Sequence, residues 1–239
     1  MPIKRIRQFT AGSYSRLAEW EKCAFKAKKK HIDKVEEPSS KAKDDGSKAD
    51  KDAELYATGQ LKTCPKTLER FKLEFDELRK MKRILQPQFE LALDKNWKPT
   101  SWFDEPGKPS PRYRIKMDMK YDKEEKAGKK LYLVRHIIDY KNGVIRKSDE
   151  DQLELYAIGG LCDDSPVVDT VRVALWYLKE GEIVPEKGRV FVRSDLPGLI
   201  KKWERRFAPM FNDTAFIPTP GNHCGWCHLT RTKGGPCPH

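Results

Sequence analysis

The chain has 239 residues, enough for one well-buried domain. Apolar residues at 38% and charged residues at 35% give a lean core, yet six Trp, ten Phe and eight Tyr exclude a generally disordered chain. A formal charge of +12 suits a polyanionic partner, nucleic acid or an anionic membrane surface, and is equally compatible with a plain solvated basic surface.

No run of about 18 apolar residues is present, which argues against a membrane-spanning protein. Met1 to Arg7 lacks the apolar segment of a signal peptide, so an intracellular, cytoplasmic protein is expected.

From Ser13, an acceptable N-cap, to Lys30, apolar residues recur at helical spacing (Tyr14, Leu17, Ala18, Trp20, Ala24, Phe25) and predict a helix. Glu36 to Asp52 is poor in apolar residues and reads as a loop that runs into a helix toward Tyr56. After Pro65, the series Leu68, Phe71, Phe75, Leu78, Met81, Leu85 predicts a second long helix.

At Phe89 the period changes to two. Strands are predicted over Phe89–Leu93, Tyr113–Tyr121, Leu131–Tyr140, Val167–Leu178 and Arg189–Val192, with helices over about Asp149–Cys162 and Asp195–Phe211. Helices first, then antiparallel strands, a crossing helix and further strands indicate a mixed α/β domain with one central sheet.

A hairpin centred between Gly128 and Lys129 sets Asp118 opposite Asp139. Like charges facing each other beside apolar neighbours need a cation or a raised pKa, and a divalent metal meets that need. Alternation puts Asp139 and Lys141 on one face, with Tyr140 pointing away and its carbonyl free at the edge.

Phosphodiester hydrolysis needs just such groups: oxygen ligands for Mg²⁺ or Mn²⁺, a nucleophilic water, and a cation to orient it and offset transition-state charge. Read alone, the same residues are equally strand-end charges before an Asn142-Gly143 turn. Gln152 and Tyr156, four apart on the next helix, share a face from which to reach a phosphate or the lysine; alone, they are an ordinary half-buried pair.

Six cysteines in a reducing compartment are poor candidates for disulfides, and Cys224, Cys227 and Cys237 fall within the last sixteen residues among turn-permitting glycines. They predict a metal site. His239 completes a local Cys₃His zinc site, whereas Cys23 completes a Cys₄ site, and spacing leaves both open. Cys64 and Cys162 lack partners at ligand spacing, and no constellation supports a catalytic histidine.

Asp118, then Asp139-Tyr140-Lys141-Asn142-Gly143, then Gln152-x-x-x-Tyr156 resembles the RecB-like branch of the PD-(D/E)xK nucleases, as do Ser13-Tyr14-Ser15-Arg16-Leu17, Glu21-Lys22-Cys23 and the terminal cysteines. The resemblance spans nearly the whole chain. It implies a restriction-endonuclease-like fold in a single nuclease domain over residues 1–239: a mostly helical part (1–86), a catalytic sheet core (87–193), and a C-terminal helix with a cysteine clasp (194–239).

It further implies Asp118 and Asp139 as metal ligands with the Tyr140 carbonyl, Lys141 placing the attacking water, and Gln152 and Tyr156 assisting at the phosphate. The family's first motif, a glycine followed four positions later by a histidine ligand, aligns with Gly46 and Asp50, so an aspartate stands where the family carries histidine. A hard oxygen ligand suits Mg²⁺ or Mn²⁺; a weakened site, or a carboxylate from Glu54 or Glu90 instead, are the alternatives.

Family members with one N-terminal and three C-terminal cysteines bind a [4Fe-4S] cluster, which implies Cys23, Cys224, Cys227 and Cys237 as its ligands here, with structural Zn²⁺ as the alternative. Such a clasp closes a loop of about 200 residues. The expected activity is that of a Mg²⁺- or Mn²⁺-dependent deoxyribonuclease, an exonuclease in recombination, repair or phage DNA processing, with DNA as partner and no membrane. The alternative is a non-catalytic DNA-binding module of the same fold. Lys26 with Lys28 to Lys30, and Lys201-Lys202 with Arg205-Arg206, are candidate phosphate contacts, with Trp97, Trp102 and Trp226 as candidate base stackers.

Overall fold

Apolar alternation and a two-residue turn make the β3–β4 hairpin the longest sheet pairing. In a computed structural model, which describes residues 8–146 and 149–239, β3 (Tyr113–Ala127) and β4 (Lys130–Lys141) pair from Ala127↔Lys130 to Met119↔Ile138. Gly128 takes φ +62° in the turn, a region that favours glycine. This register is the one that directs Asp118 toward Asp139. The expectation for Met1 to Arg7 lies outside the described residues.

On one side of β3 lie β1 (Gln86–Leu93) and the short β2 (Pro99–Thr100), both antiparallel. On the far side of β4, helix α5 (Glu150–Cys162) crosses over to deliver β5 (Thr170–Tyr177) parallel to β4, and β6 (Glu182–Val192) returns antiparallel. The result is a six-stranded mixed sheet, β2-β1-β3-β4-β5-β6, in an α/β fold.

Helices cover both faces. α1 (Tyr14–Lys22), α2 (Ala24–His31), α5 and α6 (Leu196–Asn212) share one core with Ile115, Ile137 and Val173 of the sheet. α3 (Lys41–Ala57) and α4 (Lys72–Lys80) form a second core with Ile138, Tyr140 and Trp176. α5 is buried from Leu153 to Leu161 and sits very close to the sheet at Gly159 and Gly160, where any Cβ would come within 2.8 Å of Ile115 and Ile137. No helix among the described residues is long and apolar enough to cross a membrane.

Three expectations are corrected. The helix expected over Ser13–Lys30 is two, because Cys23 is extended (φ −163°, ψ 104°) and ends α1 while starting α2. The loop expected over Glu36–Asp52 contains most of α3, capped by Ser40, whose hydroxyl accepts from the Lys43 N–H, and held by a stripe of Ala49, Ala53, Tyr56 and Ala57. The helix expected from Pro65 to Leu85 is a 3₁₀ turn (Lys66–Phe71) followed by α4, although Leu68, Phe71, Phe75 and Leu78 are buried as their period requires.

Candidate active site and cysteine clasp

Asp118 sits where β3 changes phase. Tyr113, Ile115 and Met117 pack in the first core, whereas Met119 and Tyr121, which strict alternation would keep on the same face, pack in the second. The pairing of β3 with β4 stops at Met119↔Ile138. Just beyond, the Tyr140 N–H donates to Asp118 Oδ2 at 2.8 Å, so a side-chain carboxylate stands in for a ladder carbonyl. Gln88, the residue of β1 that faces this point, has φ +51°.

Asp139 projects from β4 toward α5. The Tyr156 hydroxyl donates to its Oδ1, and Gln152 Nε2 donates to that hydroxyl at 2.6 Å. Lys141 Nζ donates to Gln152 Oε1 at 2.7 Å and pairs with the buried Asp139 Oδ2 at 2.6 Å. Tyr140 turns its ring into the second core, as alternation requires.

Asp50, on α3 between the buried Ala49 and Ala53, lines the same cleft, a cavity of about 710 Å³ bounded also by Asp118, Asp139, Gln152 and Tyr156. It makes no hydrogen bond or ion pair among the described residues. Of the alternatives, Glu54 pairs with Lys51 at 3.0 Å and Glu90 lies 3.7 Å from Lys116, and neither lines the cleft.

The electrostatics match the crowding. Burial pushes the Asp118 carboxyl well above the usual carboxylate range, and Asp139 pushes it further while the Tyr140 amide opposes both. Burial, then repulsion from Asp139, raises Asp50 to about 6. Burial pulls the Lys141 ammonium down, but Asp139 leads the acids that outweigh it, so its pKa is raised and the lysine is a fixed positive charge. Burial and Asp139 keep Tyr156 a phenol well above its ordinary range.

No three His, Cys, Asp or Glu side chains among the described residues are grouped closely enough to hold one ion. What fits a divalent cation is the donor set, the hard carboxylate oxygens of Asp50, Asp118 and Asp139 in one cleft beside Lys141.

Elsewhere the four cysteines come together. Cys23, Cys224, Cys227 and Cys237 line one hollow of about 20 Å³, and so do His223 and His239, so both candidates for a fourth ligand reach it. A 3₁₀ turn over Asn222–Trp226 brings the Cys227 N–H to the Cys224 carbonyl at 3.1 Å, and the Cys237 N–H donates to Leu229 at 2.8 Å. His223 Nε2 is buried without a partner. Cys64 and Cys162 lie outside the hollow.

The predicted basic contacts are mostly neutralised. Lys26 and Lys30 pair with Glu37, Lys28 and Lys29 with Asp33, Lys202 with Glu154, and Arg206 with Glu21 and Asp151, leaving Lys201 and Arg205 exposed. Trp97 stacks on Tyr113 inside the core, Trp226 is exposed beside the clasp, and Trp102 lines the cleft. Sequence reasoning passed over three further cleft residues, Arg114, Lys116 and Phe103. No family model matches the chain, and no curated protein matches it either.

Proposed function

We propose that the chain is a divalent-metal-dependent deoxyribonuclease with a restriction-endonuclease-like sheet. The observation that carries the reading is the convergence of Asp50, Asp118 and Asp139 on one open cleft beside Lys141, which Gln152 holds in place. Asp118, Asp139 and Asp50 would hold the cation, with the Tyr140 carbonyl as the additional ligand that the resemblance implies. Bound there, Mg²⁺ or Mn²⁺ supplies Lewis acidity to a phosphodiester oxygen.

The chain's own groups do the rest. Lys141 orients the attacking water and offsets charge on the phosphorane-like transition state. Gln152 fixes the lysine, and the Tyr156 hydroxyl fixes Asp139. Action from strand ends is the part of the reading that rests on the resemblance alone.

With Mn²⁺ and linear DNA, Lys141→Ala is expected to lower turnover about a hundredfold or more while leaving DNA affinity unchanged. A wild-type chain that binds linear DNA but does not degrade it turns the reading into its alternative, a DNA-binding module of the same fold; the aspartate standing where the family carries histidine favours that alternative.

For the clasp, we infer a metal centre on Cys23, Cys224, Cys227 and Cys237. The soft donor set fits either occupant. The resemblance favours [4Fe-4S], whereas the small hollow of about 20 Å³ is nearer the size of a single ion. A brown protein whose visible absorbance disappears in Cys23→Ala is expected; a colourless protein with one zinc per chain and a tolerant Cys23 assigns the site to Zn²⁺.

A further inference from the structure

The cleft carries cations that the hydrolytic reading leaves unused. Arg114, on β3, makes no ion pair among the described residues: its Nε is buried without a hydrogen-bond partner there, and its guanidinium sits 5.6 Å from the ring centres of both Trp102 and Phe103. The guanidinium of Arg16, in the first turn of α1, donates among the described residues only to the Ala11 carbonyl, at 3.0 Å. A parallel bridge between Gly12 and Tyr113 seats the start of α1 against the start of β3, and burial followed by repulsion from Arg114 lowers the Arg16 pKa.

Elsewhere in this chain, Arg135 has Asp122, Arg172 has Glu125 and Arg206 has Glu21 as carboxylate partners, while Arg79 is taken up by the carbonyls of Tyr56 and Leu61 and Arg112 by that of Thr10. Two neighbouring guanidiniums without a carboxylate partner are costly unless an anion joins them. The rings beside them specify which anion. Phe103 is 69% exposed and Trp102 half-buried, both lining the cleft that holds the three aspartates. A free inorganic ion has no use for two aromatic faces, whereas a nucleotide presents a phosphate and a base together.

We propose that Arg16 and Arg114 clamp the phosphate next to the one cleaved, and that Trp102 and Phe103 stack the unpaired base attached to it. The proposal rests on the nuclease reading for the identity of the neighbouring phosphate. It makes the substrate a DNA strand that is single or frayed where it enters the cleft.

The test is binding of a single-stranded oligonucleotide carrying 2-aminopurine to the full chain in EDTA, followed by anisotropy and quenching across a salt series. Arg114→Ala is expected to weaken binding about tenfold and to flatten the log-log salt slope by about 0.7, the value for one lost phosphate contact on a single strand. Arg114→Lys should keep the slope, and Arg16→Ala should repeat the loss should Arg114→Ala fail to fold. Replacing Trp102 and Phe103 together with Ala should relieve the quenching and leave the slope unchanged.

An unchanged slope in both arginine variants, quenching indifferent to the rings, or equal affinity for a blunt duplex of the same sequence overturns the proposal. Cleavage with Mn²⁺ is scored separately. Wild-type kcat/KM in Arg16→Ala and Arg114→Ala sinks the clamp and spares the nuclease; the expected binding pattern without any wild-type cleavage does the reverse.

Discussion

Acids gather near both ends of helix α5, and the two ends are balanced differently. Past its C-terminus, Asp163 pairs with Lys120, and Arg135 makes a two-point contact with Asp122 at 2.8 and 2.9 Å. Arg135 also donates to the carbonyls of Gly160, Asp163 and Pro166 at 2.7, 3.0 and 2.9 Å. Two cations meet two acids there, and backbone carbonyls take up the remaining guanidinium donors. In the N-terminal half, Gln152 and Tyr156 face Asp139, with Asp118 and Asp50 in the same cleft and Lys141 as the one cation paired with any of the three, among the described residues. A closed network fixes chain geometry; an open one of the same residue types keeps carboxylate oxygens free for something that is not protein.

The largest expected effect breaks the closed end. Arg135 has no solvent exposure, so Arg135→Met strands Asp122 and three carbonyls and should cost about 3–5 kcal/mol in urea unfolding. A loss under about 1 kcal/mol would mean that this network does no more for stability than a surface ion pair, and the contrast between the ends would vanish.

Next comes the brace at the open end. Gln152 holds Lys141 and the Tyr156 hydroxyl at once, without being a proposed metal ligand. Gln152→Ala should lower kcat with Mn²⁺ and linear DNA roughly 10- to 100-fold, as loss of outer support for a metal site does. Unfolding stability should change far less than in Arg135→Met. Equal losses of stability in the two variants would show that both ends serve the fold alone.

How much of this is legible in the sequence depends on what each feature is built from. The β3–β4 register follows from alternation and Gly128, and the Gln152–Tyr156 pairing from helical spacing, so both can be read directly. α3 cannot, because its buried stripe consists of three alanines and one tyrosine within a highly charged stretch; Asp50 therefore enters only through the resemblance. The phase change at Asp118 is silent, since odd positions from Tyr113 to Tyr121 are apolar on either side of it and both faces of the sheet are covered. The Arg16–Arg114 pairing depends on the Gly12–Tyr113 bridge, which joins segments a hundred residues apart without any local signal. The basic run of α6 misleads for the opposite reason: its partners, Glu154, Glu21 and Asp151, come from other segments of the chain, whereas those of α2, Asp33 and Glu37, follow it closely in sequence.

The smallest effect tests whether the open end is held open at a cost. Asp50 lacks a partner among the described residues and is part-buried and repelled by Asp139, so in EDTA its charge works against the fold. Asp50→Asn removes that charge with little change of shape and should raise Tm by about 2–4 °C, the shift expected for about 1 kcal/mol in a domain of this size. With Mn²⁺ the order should invert, because a cation stabilises the native state in proportion to its affinity, and the variant has lost a ligand. The wild type should therefore show the larger Tm rise on adding Mn²⁺ and a falling rise on titration with EDTA. Asp50→Asn that is less stable than wild type in EDTA would make Asp50 a structural residue. A Mn²⁺-induced rise of the same size in both proteins would remove it from the ligand set and leave Asp118 and Asp139 to hold the ion.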